Sequence, residues 1–128
     1  MFNNYLSSSD LYRDSRLFQG IELFNKQQWY HCHDTFESIW FELSGNERAI
    51  IQLFLQITVA CLHIERGNSK GAAIILGESL ASLKSFNSSG LGIDLNSLRD
   101  LAKIYLKILQ KSEQIRTLHL ICLKTFAE

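Results

Sequence analysis

The sequence of 128 residues contains no proline, and it has no excess of charge of either sign. Proline is poorly tolerated inside helices, so its absence agrees with a chain built mainly from helix. Lysine and arginine together number 13, aspartate and glutamate also number 13, and no basic cluster stands out. Because a nucleic-acid surface needs concentrated positive charge, we expect no nucleic-acid partner.

Cysteines are few, and the signals for secretion or membrane insertion are missing. Cys32, Cys61 and Cys122 are odd in number, far apart and without a CxxC spacing. This usage predicts buried, reduced thiols rather than a disulfide framework. The N-terminal residues show no basic segment followed by an apolar one, and no run reaches the roughly 18 uninterrupted apolar residues of a membrane span. We therefore expect a cytoplasmic protein that does not contact membranes.

Helical periodicity is the main pattern that is present. Apolar residues recur three and four positions apart, and no segment alternates as a strand would. Together with the turn residues, the pattern predicts helices over about residues 10–26, 29–43, 46–66, 69–86 and 94–111, and a short sixth helix after a break near 111–112.

The connections between these helices are short, which makes consecutive helices antiparallel neighbours. We predict an all-α fold, a compact antiparallel bundle of five to six helices, in a single domain over residues 1–128. Residues 1–9 are expected to be a flexible N-terminus and residues 87–93 a loop. A hydrophobic content of 46% is enough for an ordinary core in a chain of this length.

Polar residues interrupt two of the predicted helices at helical spacing. The two stripes consist of His33, Glu37 and Trp40 on the second predicted helix and of Gln56, His63 and Arg66 on the third. A buried polar group costs free energy unless it finds a partner, so the stripes should meet each other, a ligand or water. We predict that the two helices pack with His33 and Glu37 near His63 or Gln56.

The same residues also have structural interpretations. Trp40 is expected in the core together with Phe36, Phe54, Ile57 and Leu76. A pair such as His33 and Glu37 is also ordinary on a helix surface, because side chains four residues apart are neighbours there.

The junction between the third and fourth predicted helices carries its own signals. Gly67 can end one helix in a left-handed conformation, and Asn68 can cap the next. Arg66 suits the negative end of the helix dipole, and we expect its side chain to return across the junction to Glu37. In the functional alternative, Arg66 faces a pocket and binds an anion.

The histidines do not predict a metal centre. His31 and His33 diverge on a helix, where each residue turns by about 100°, so they cannot share an ion. A set formed by His33, Glu37 and His63 would resemble a site of two histidines and one carboxylate, but the HExxH signature is missing. We therefore expect neither a metal nor another cofactor.

Spaced blocks of residues carry a resemblance to a known family. The blocks are Gly20-Ile21-Glu22-Leu23-Phe24-Asn25, Tyr30-x-x-His33-Asp34-x-x-Glu37-x-x-Trp40, then Arg48, Gln52 and Gln56, and Ala60-x-x-His63-x-x-Arg66-Gly67-Asn68-x-x-Gly71-Ala72. Over about residues 20–83 the chain resembles the DUF309 family of small all-helical proteins of uncharacterised function. Asp34 stands where that family typically has glutamate, and Leu53 where it typically has glycine.

The resemblance implies a fold and a site but no reaction. It implies a helical bundle in which one group of polar residues lies together: His33, Glu37, Gln56, His63, Arg66 and Asn68.

Two classes of function follow from the sequence. The favoured one is a binding or scaffolding module, whose polar residues either form a sealed network or line a pocket for a small polar or anionic ligand. The fifth and sixth predicted helices would supply a face for a homodimer or larger homo-oligomer, because their C-terminal row is apolar: Leu118, Ile121, Leu123 and Phe126.

The alternative is a small enzyme, hydrolase-like or metal-assisted. Glu37 would orient His33, His33 or His63 would act as the general base, and Arg66 would hold an anionic group. An open pocket that reaches both histidines favours a ligand or a reaction, whereas a sealed network with every polar atom paired favours a structural role.

Overall fold

The structure, a computed structural model, describes residues 6–86, 89–90 and 93–111. The helices within these ranges are α1 (Ser8–Arg13), α2 (Ser15–Asn25), α3 (Trp29–Trp40), α4 (Gly45–Glu65), α5 (Ser69–Leu83) and α6 (Leu95–Gln110). From α2 onward, each helix packs against the next one in the chain. The predicted all-α bundle is confirmed.

The first predicted helix, over residues 10–26, is wrong as a single helix because it divides into α1 and α2 at Asp14. The backbone of Asp14 is extended, and its carboxylate accepts a hydrogen bond of 2.9 Å from the backbone N–H of Arg16. The Arg16 guanidinium also bonds the Asp14 carboxylate at 2.7 Å and reaches Glu42, just beyond α3, at 2.7 Å. Asp14 therefore acts as an N-cap, and a contact distant in sequence holds the division in place.

At the junction between α4 and α5, Gly67 and Asn68 act as predicted. Gly67 adopts a φ of 78°, in the left-handed region. The side chain of Asn68 accepts a hydrogen bond of 3.0 Å from the backbone N–H of Gly71 and so caps α5. At the start of α4 the predicted bound of residue 46 was one residue late, since the helix begins at Gly45 after the N-cap Ser44.

Residues 87–93, which the sequence predicts to be a loop, include paired strands. Two-residue strands β1 (Ser89–Gly90) and β2 (Ile93–Asp94) form a short antiparallel ladder. Asp94 then caps α6, accepting from the backbone N–H groups of Asn96 and Ser97. The predicted sixth helix and its apolar row, Leu118, Ile121, Leu123 and Phe126, lie outside the described residues.

Aromatic rings from three helices meet at the centre of the bundle. The ring of Phe36 stacks on Phe54 with centroids 5.1 Å apart, and Phe24 contacts Phe54 edge-on. Gly20 makes room for this cluster, because a Cβ atom at that position would lie 2.7 Å from the Phe36 ring. Four of the predicted core residues are fully buried: Phe36, Phe54, Ile57 and Leu76.

Two thiols also belong to the core. Cys32 and Cys61 are fully buried and unpaired with each other, as predicted, while Cys122 lies outside the described residues. Burial raises the pKa of Cys61 to about 12 and also raises that of Cys32. The Cys32 thiol donates to the backbone carbonyl of Gly20 at 3.4 Å. Both thiols are therefore protonated at neutral pH.

Helix α4 forms the middle of the bundle and packs on both α3 and α5. Among the described helices it alone has the length and hydropathy to cross a membrane, and half of its apolar window is buried inside the bundle. The central helix of a helical bundle has the same composition, because it is apolar on more than one side.

Candidate functional site

A cavity of about 350 Å³ opens where α3, α4 and α5 meet, and we refer to it as the Glu37 cavity. Its lining comprises His33, Glu37 and Trp40 from α3, Gln52, Leu55, Gln56 and Val59 from α4, and Ile75 and Glu78 from α5. The three α3 residues share one helix face because they lie three and four positions apart. Of the second predicted stripe, Gln56 lines this cavity together with His33 and Glu37, whereas His63 and Arg66 do not.

A second cavity, of about 370 Å³, lies further along the same groove, and we refer to it as the Arg66 cavity. Its lining comprises Tyr30, His33, Asp34, Val59, Leu62, His63 and Arg66. Early residues of α3 thus face the end of α4 here, whereas later residues of α3 face the middle of α4 in the Glu37 cavity. This order makes α3 and α4 antiparallel.

The polar side chains that line the Glu37 cavity differ in whether they have a partner among the described residues. The amide oxygen of Gln56 accepts a hydrogen bond of 3.2 Å from the hydroxyl of Ser79. Over the residues that the structure describes, the side chains of Glu37, Gln52 and Glu78 form no hydrogen bond or ion pair. Their polar groups are therefore available to water or to a ligand.

Trp40 was predicted to be a core residue, but it lies at the edge of the core rather than within it. Its ring is partly buried and packs on the core. The guanidinium of Arg48 lies over the ring, 3.8 Å from the centroid, and Phe41 contacts it edge-on. The physical reason is that Trp40 ends α3, where one side of the ring meets a cation and another side meets the cavity.

Arg66 contacts Tyr30 and not Glu37, so the predicted ion pair across the junction was wrong. Its guanidinium lies 5.6 Å from the centre of the Tyr30 ring and donates a hydrogen bond to the Tyr30 hydroxyl. The antiparallel packing brings the end of α4 to the beginning of α3, and Glu37 lies about two helical turns further along α3.

His63 is oriented by Asn68, the residue that caps α5. The Asn68 amide oxygen already accepts the N–H of Gly71, so its nitrogen faces His63, with 3.1 Å to Nδ1. An amide nitrogen can only donate, so Nδ1 of His63 accepts and the proton of the neutral ring resides on Nε2. Asn68 does not line the Arg66 cavity itself, but it sets the orientation of the His63 ring that does.

His33 lies between the two cavities and lines both. The carboxylate nearest to its Nδ1 is that of Asp34, at 3.7 Å, which is longer than a hydrogen bond. The pairing of Glu37 with His33 that the enzyme alternative requires is not formed. In the described part of the chain, His33, Glu37 and His63 also do not form a metal-ligating group, since Glu37 and His63 line different cavities.

Four polar lining residues lie outside the two predicted stripes: Tyr30, Asp34, Gln52 and Glu78. Tyr30 and Asp34 belong to the same block of spaced residues as His33, which was a usable signal. Glu78 is the only acidic residue in the apolar sequence of α5. An isolated carboxylate in an apolar helix indicates a candidate site residue for the same reason that Gln56 does in α4: a polar group there needs a partner, a ligand or water.

Comparison with known families agrees with the resemblance seen in the sequence. Residues 17–75 match the family model of DUF309, a domain of unknown function, over slightly less than half of the chain. The matched segment extends from α2 into α5 and contains every residue that lines the two cavities except Glu78. No curated protein matches the sequence.

Proposed function

We propose that the DUF309 segment of this chain is a binding module and that its Glu37 cavity holds a small molecule with a positively charged group. The observation that carries the proposal is the set of open polar side chains without partners in the described protein: Glu37, Gln52 and Glu78. A sealed structural network would instead pair Glu37 and Gln52, which are half-buried, because unpaired polar groups in a protein interior cost free energy. Glu78 is exposed and adds a second carboxylate to the lining.

The composition of the cavity suits a small organic ligand. Its volume of about 350 Å³ falls at the lower end of the range for small-molecule pockets, about 300–1,000 Å³. Leu55, Val59 and Ile75 supply an apolar surface, and the amide of Gln52 can donate or accept. A few polar groups around apolar walls are typical of pockets that fix a ligand's orientation.

The charges in the cavity favour a cation. Glu37 and Glu78 contribute carboxylates, while no lysine or arginine is among the lining residues of the described chain. An ammonium or amidinium group would neutralise this charge and donate hydrogen bonds to the carboxylate oxygens. The same residues disfavour a carboxylate or phosphate in this cavity, which separates it from the Arg66 cavity.

The test uses octylamine as the probe and the two tryptophans as reporters. Trp40 lines the cavity, whereas Trp29 is buried in the core, so the NMR spectrum contains one indole signal near the probe and one control signal. Trp29→Phe assigns the two signals. We expect octylamine to shift the Trp40 indole signal saturably and to leave that of Trp29 in place.

The carboxylate is tested by a matched pair of variants. Glu37→Gln keeps the size of the side chain and removes its charge, and we expect it to weaken octylamine binding about three- to fivefold. Glu22→Gln removes a carboxylate from α2, where Glu22 pairs with Lys26 away from the cavity. The proposal is rejected if octylamine leaves the Trp40 signal unchanged, or if both variants weaken binding equally.

A further inference from the structure

We infer that the ligand is dipolar, with a cationic group in the Glu37 cavity and an anionic group in the Arg66 cavity. This inference rests on the proposed function and adds a second, oppositely charged subsite to it. It follows from three properties of the groove between α3 and α4: its continuity, its change of charge and its length.

The two cavities adjoin. His33 from α3 and Val59 from α4 line both of them, so these two side chains form the boundary. The side chain of His33 is partly buried, with an exposure of 26%, and it contributes to the lining of both cavities. A single extended ligand can therefore lie along the groove and contact His33 in its middle.

The charge changes across this boundary. The Glu37 cavity has two carboxylates, whereas the Arg66 cavity has the guanidinium of Arg66. In the described chain, Arg66 forms no ion pair with a carboxylate, and its hydrogen-bond partner is the neutral hydroxyl of Tyr30. Asp34 is the acidic residue of this cavity, its side chain is 78% exposed, and its carboxylate lies 3.7 Å from Nδ1 of His33.

The hydrogen-bonding groups of the Arg66 cavity suit an anion. The Tyr30 hydroxyl accepts from Arg66, so its own proton remains to be donated. The Nδ1 atom of His63 is occupied by Asn68, which leaves the Nε2–H group as a donor. Arg66, Tyr30 and His63 therefore offer N–H and O–H donors to a carboxylate, sulfonate or phosphate group.

The length of the groove sets the separation of the ligand's charges. Gln56 lines the Glu37 cavity and His63 lines the Arg66 cavity, seven residues later on the same helix. At a rise of 1.5 Å per residue the two levels are about 10 Å apart. A ligand that reaches both subsites must therefore place its charges about 10 Å from each other.

The experiment compares four simple probes by the shift of the Trp40 indole signal. In ω-aminooctanoate an extended chain separates the ammonium and carboxylate groups by about 10 Å, given bond lengths of about 1.5 Å. Octylamine has only the cation and octanoate only the anion. In ω-aminobutanoate both charges are present but too close together to reach both subsites.

We expect ω-aminooctanoate to bind up to about five times more tightly than octylamine, which is the upper end of the gain from one exposed ion pair. Octanoate and ω-aminobutanoate should bind more weakly than either. Arg66→Gln should remove the gain of ω-aminooctanoate and leave octylamine binding unchanged. Lys70→Gln, which removes an exposed cation from the first turn of α5 outside both cavities, should leave all affinities unchanged.

The outcomes separate this inference from the function on which it rests. If octylamine binds and depends on Glu37, but ω-aminooctanoate binds no more tightly, the dipolar ligand is rejected and the cation-binding module stands. If Arg66→Gln and Lys70→Gln have equal effects, the gain reflects general surface charge, and the Arg66 subsite is rejected. If none of the probes shifts the Trp40 signal, both proposals are rejected.

Discussion

The hydroxyl of Ser79 on α5 lies 3.2 Å from the amide oxygen of Gln56 on α4 and 2.9 Å from the backbone carbonyl of Ile75. Ser79 is fully buried, and Gln56 lines the Glu37 cavity. The contact fixes the Gln56 amide at the wall of the cavity and joins the packing of two helices to the geometry of the candidate site.

Ser79→Ala should lower the free energy of unfolding by about 1 kcal/mol, because it leaves the Gln56 amide without its protein partner. Ser82→Ala is the matched control, since Ser82 is exposed on the same helix. Urea denaturation measures both changes. Equal losses in the two variants would mean that the contact with Gln56 contributes nothing to stability.

Two glycines in helices should respond to alanine with opposite signs. At Gly20 a Cβ atom would lie 2.7 Å from the Phe36 ring, whereas at Gly77 no neighbouring atom lies within 4 Å of it. Alanine is the better helix former by about 1 kcal/mol, but overpacking a core costs about 1–3 kcal/mol. We expect Gly20→Ala to destabilise the protein and Gly77→Ala to stabilise it by up to about 1 kcal/mol. Urea midpoints that shift in the same direction would contradict this account.

The junction between α4 and α5 should depend on Gly67 and Asn68 but not on Arg66. Gly67→Ala places a side chain at a φ of 78°, and Asn68→Ala removes the cap on α5. Each should cost about 1 kcal/mol. Arg66 is exposed, so Arg66→Lys should change the stability by less than about 0.5 kcal/mol. Thermal melts compare the three variants, and a melting temperature of Arg66→Lys as low as that of Gly67→Ala would reveal a structural role for the guanidinium.

Stability should fall in acid because of the carboxylates bound to Arg16. The hydrogen bonds from the Arg16 side chain lower the pKa of Asp14 and of Glu42 below their ordinary values. The unfolded chain then takes up protons at a higher pH than the folded protein. The stabilisation is therefore complete above about pH 5 and is lost as the pH falls through about 4 and below.

The double variant Asp14→Asn, Glu42→Gln should show a smaller loss of stability between pH 7 and pH 3 than the unmodified protein. Asparagine at position 14 still provides an oxygen to cap α2, so the variant tests the charge rather than the cap. Urea midpoints at the two pH values measure the loss. Glu22→Gln controls for the removal of an exposed carboxylate. If all three proteins lose the same stability between pH 7 and pH 3, the carboxylates bound to Arg16 are not the cause of the acid sensitivity.

Local rules were enough to predict most of the helices, because each depends on residues close in sequence. Asp94 caps α6, and Gly67 and Asn68 separate α4 from α5, as their residue types indicate. The division at Asp14 was missed because the helical pattern continues through it. What holds that division is the bond from Arg16 to Glu42, a residue 26 positions away, which no local pattern contains.

The candidate site was predictable in part for the same reason. Spacing along one helix placed His33, Glu37 and Trp40 on one face, and the cavity that they line contains all three. Spacing could not decide which partner Arg66 would find, because that choice depends on how far α4 extends past α3. In the packed bundle Arg66 lies against the ring of Tyr30, and Glu78 of α5 lines the Glu37 cavity beside the residues of α3 and α4.

The burial of the two core cysteines makes labelling kinetics a measure of how this bundle opens. Cys32 and Cys61 are fully buried and protonated, so an alkylating reagent reacts only with molecules in which they have become exposed. Cys32 lies against Gly20 of α2, whereas Cys61 lies on α4. The measurement uses a variant in which Cys122 is replaced by serine. Equal rates of alkylation at Cys32 and Cys61 would indicate that the bundle opens in one cooperative step. A faster rate at Cys32 would indicate that α2 detaches first while α3 and α4 stay packed against each other.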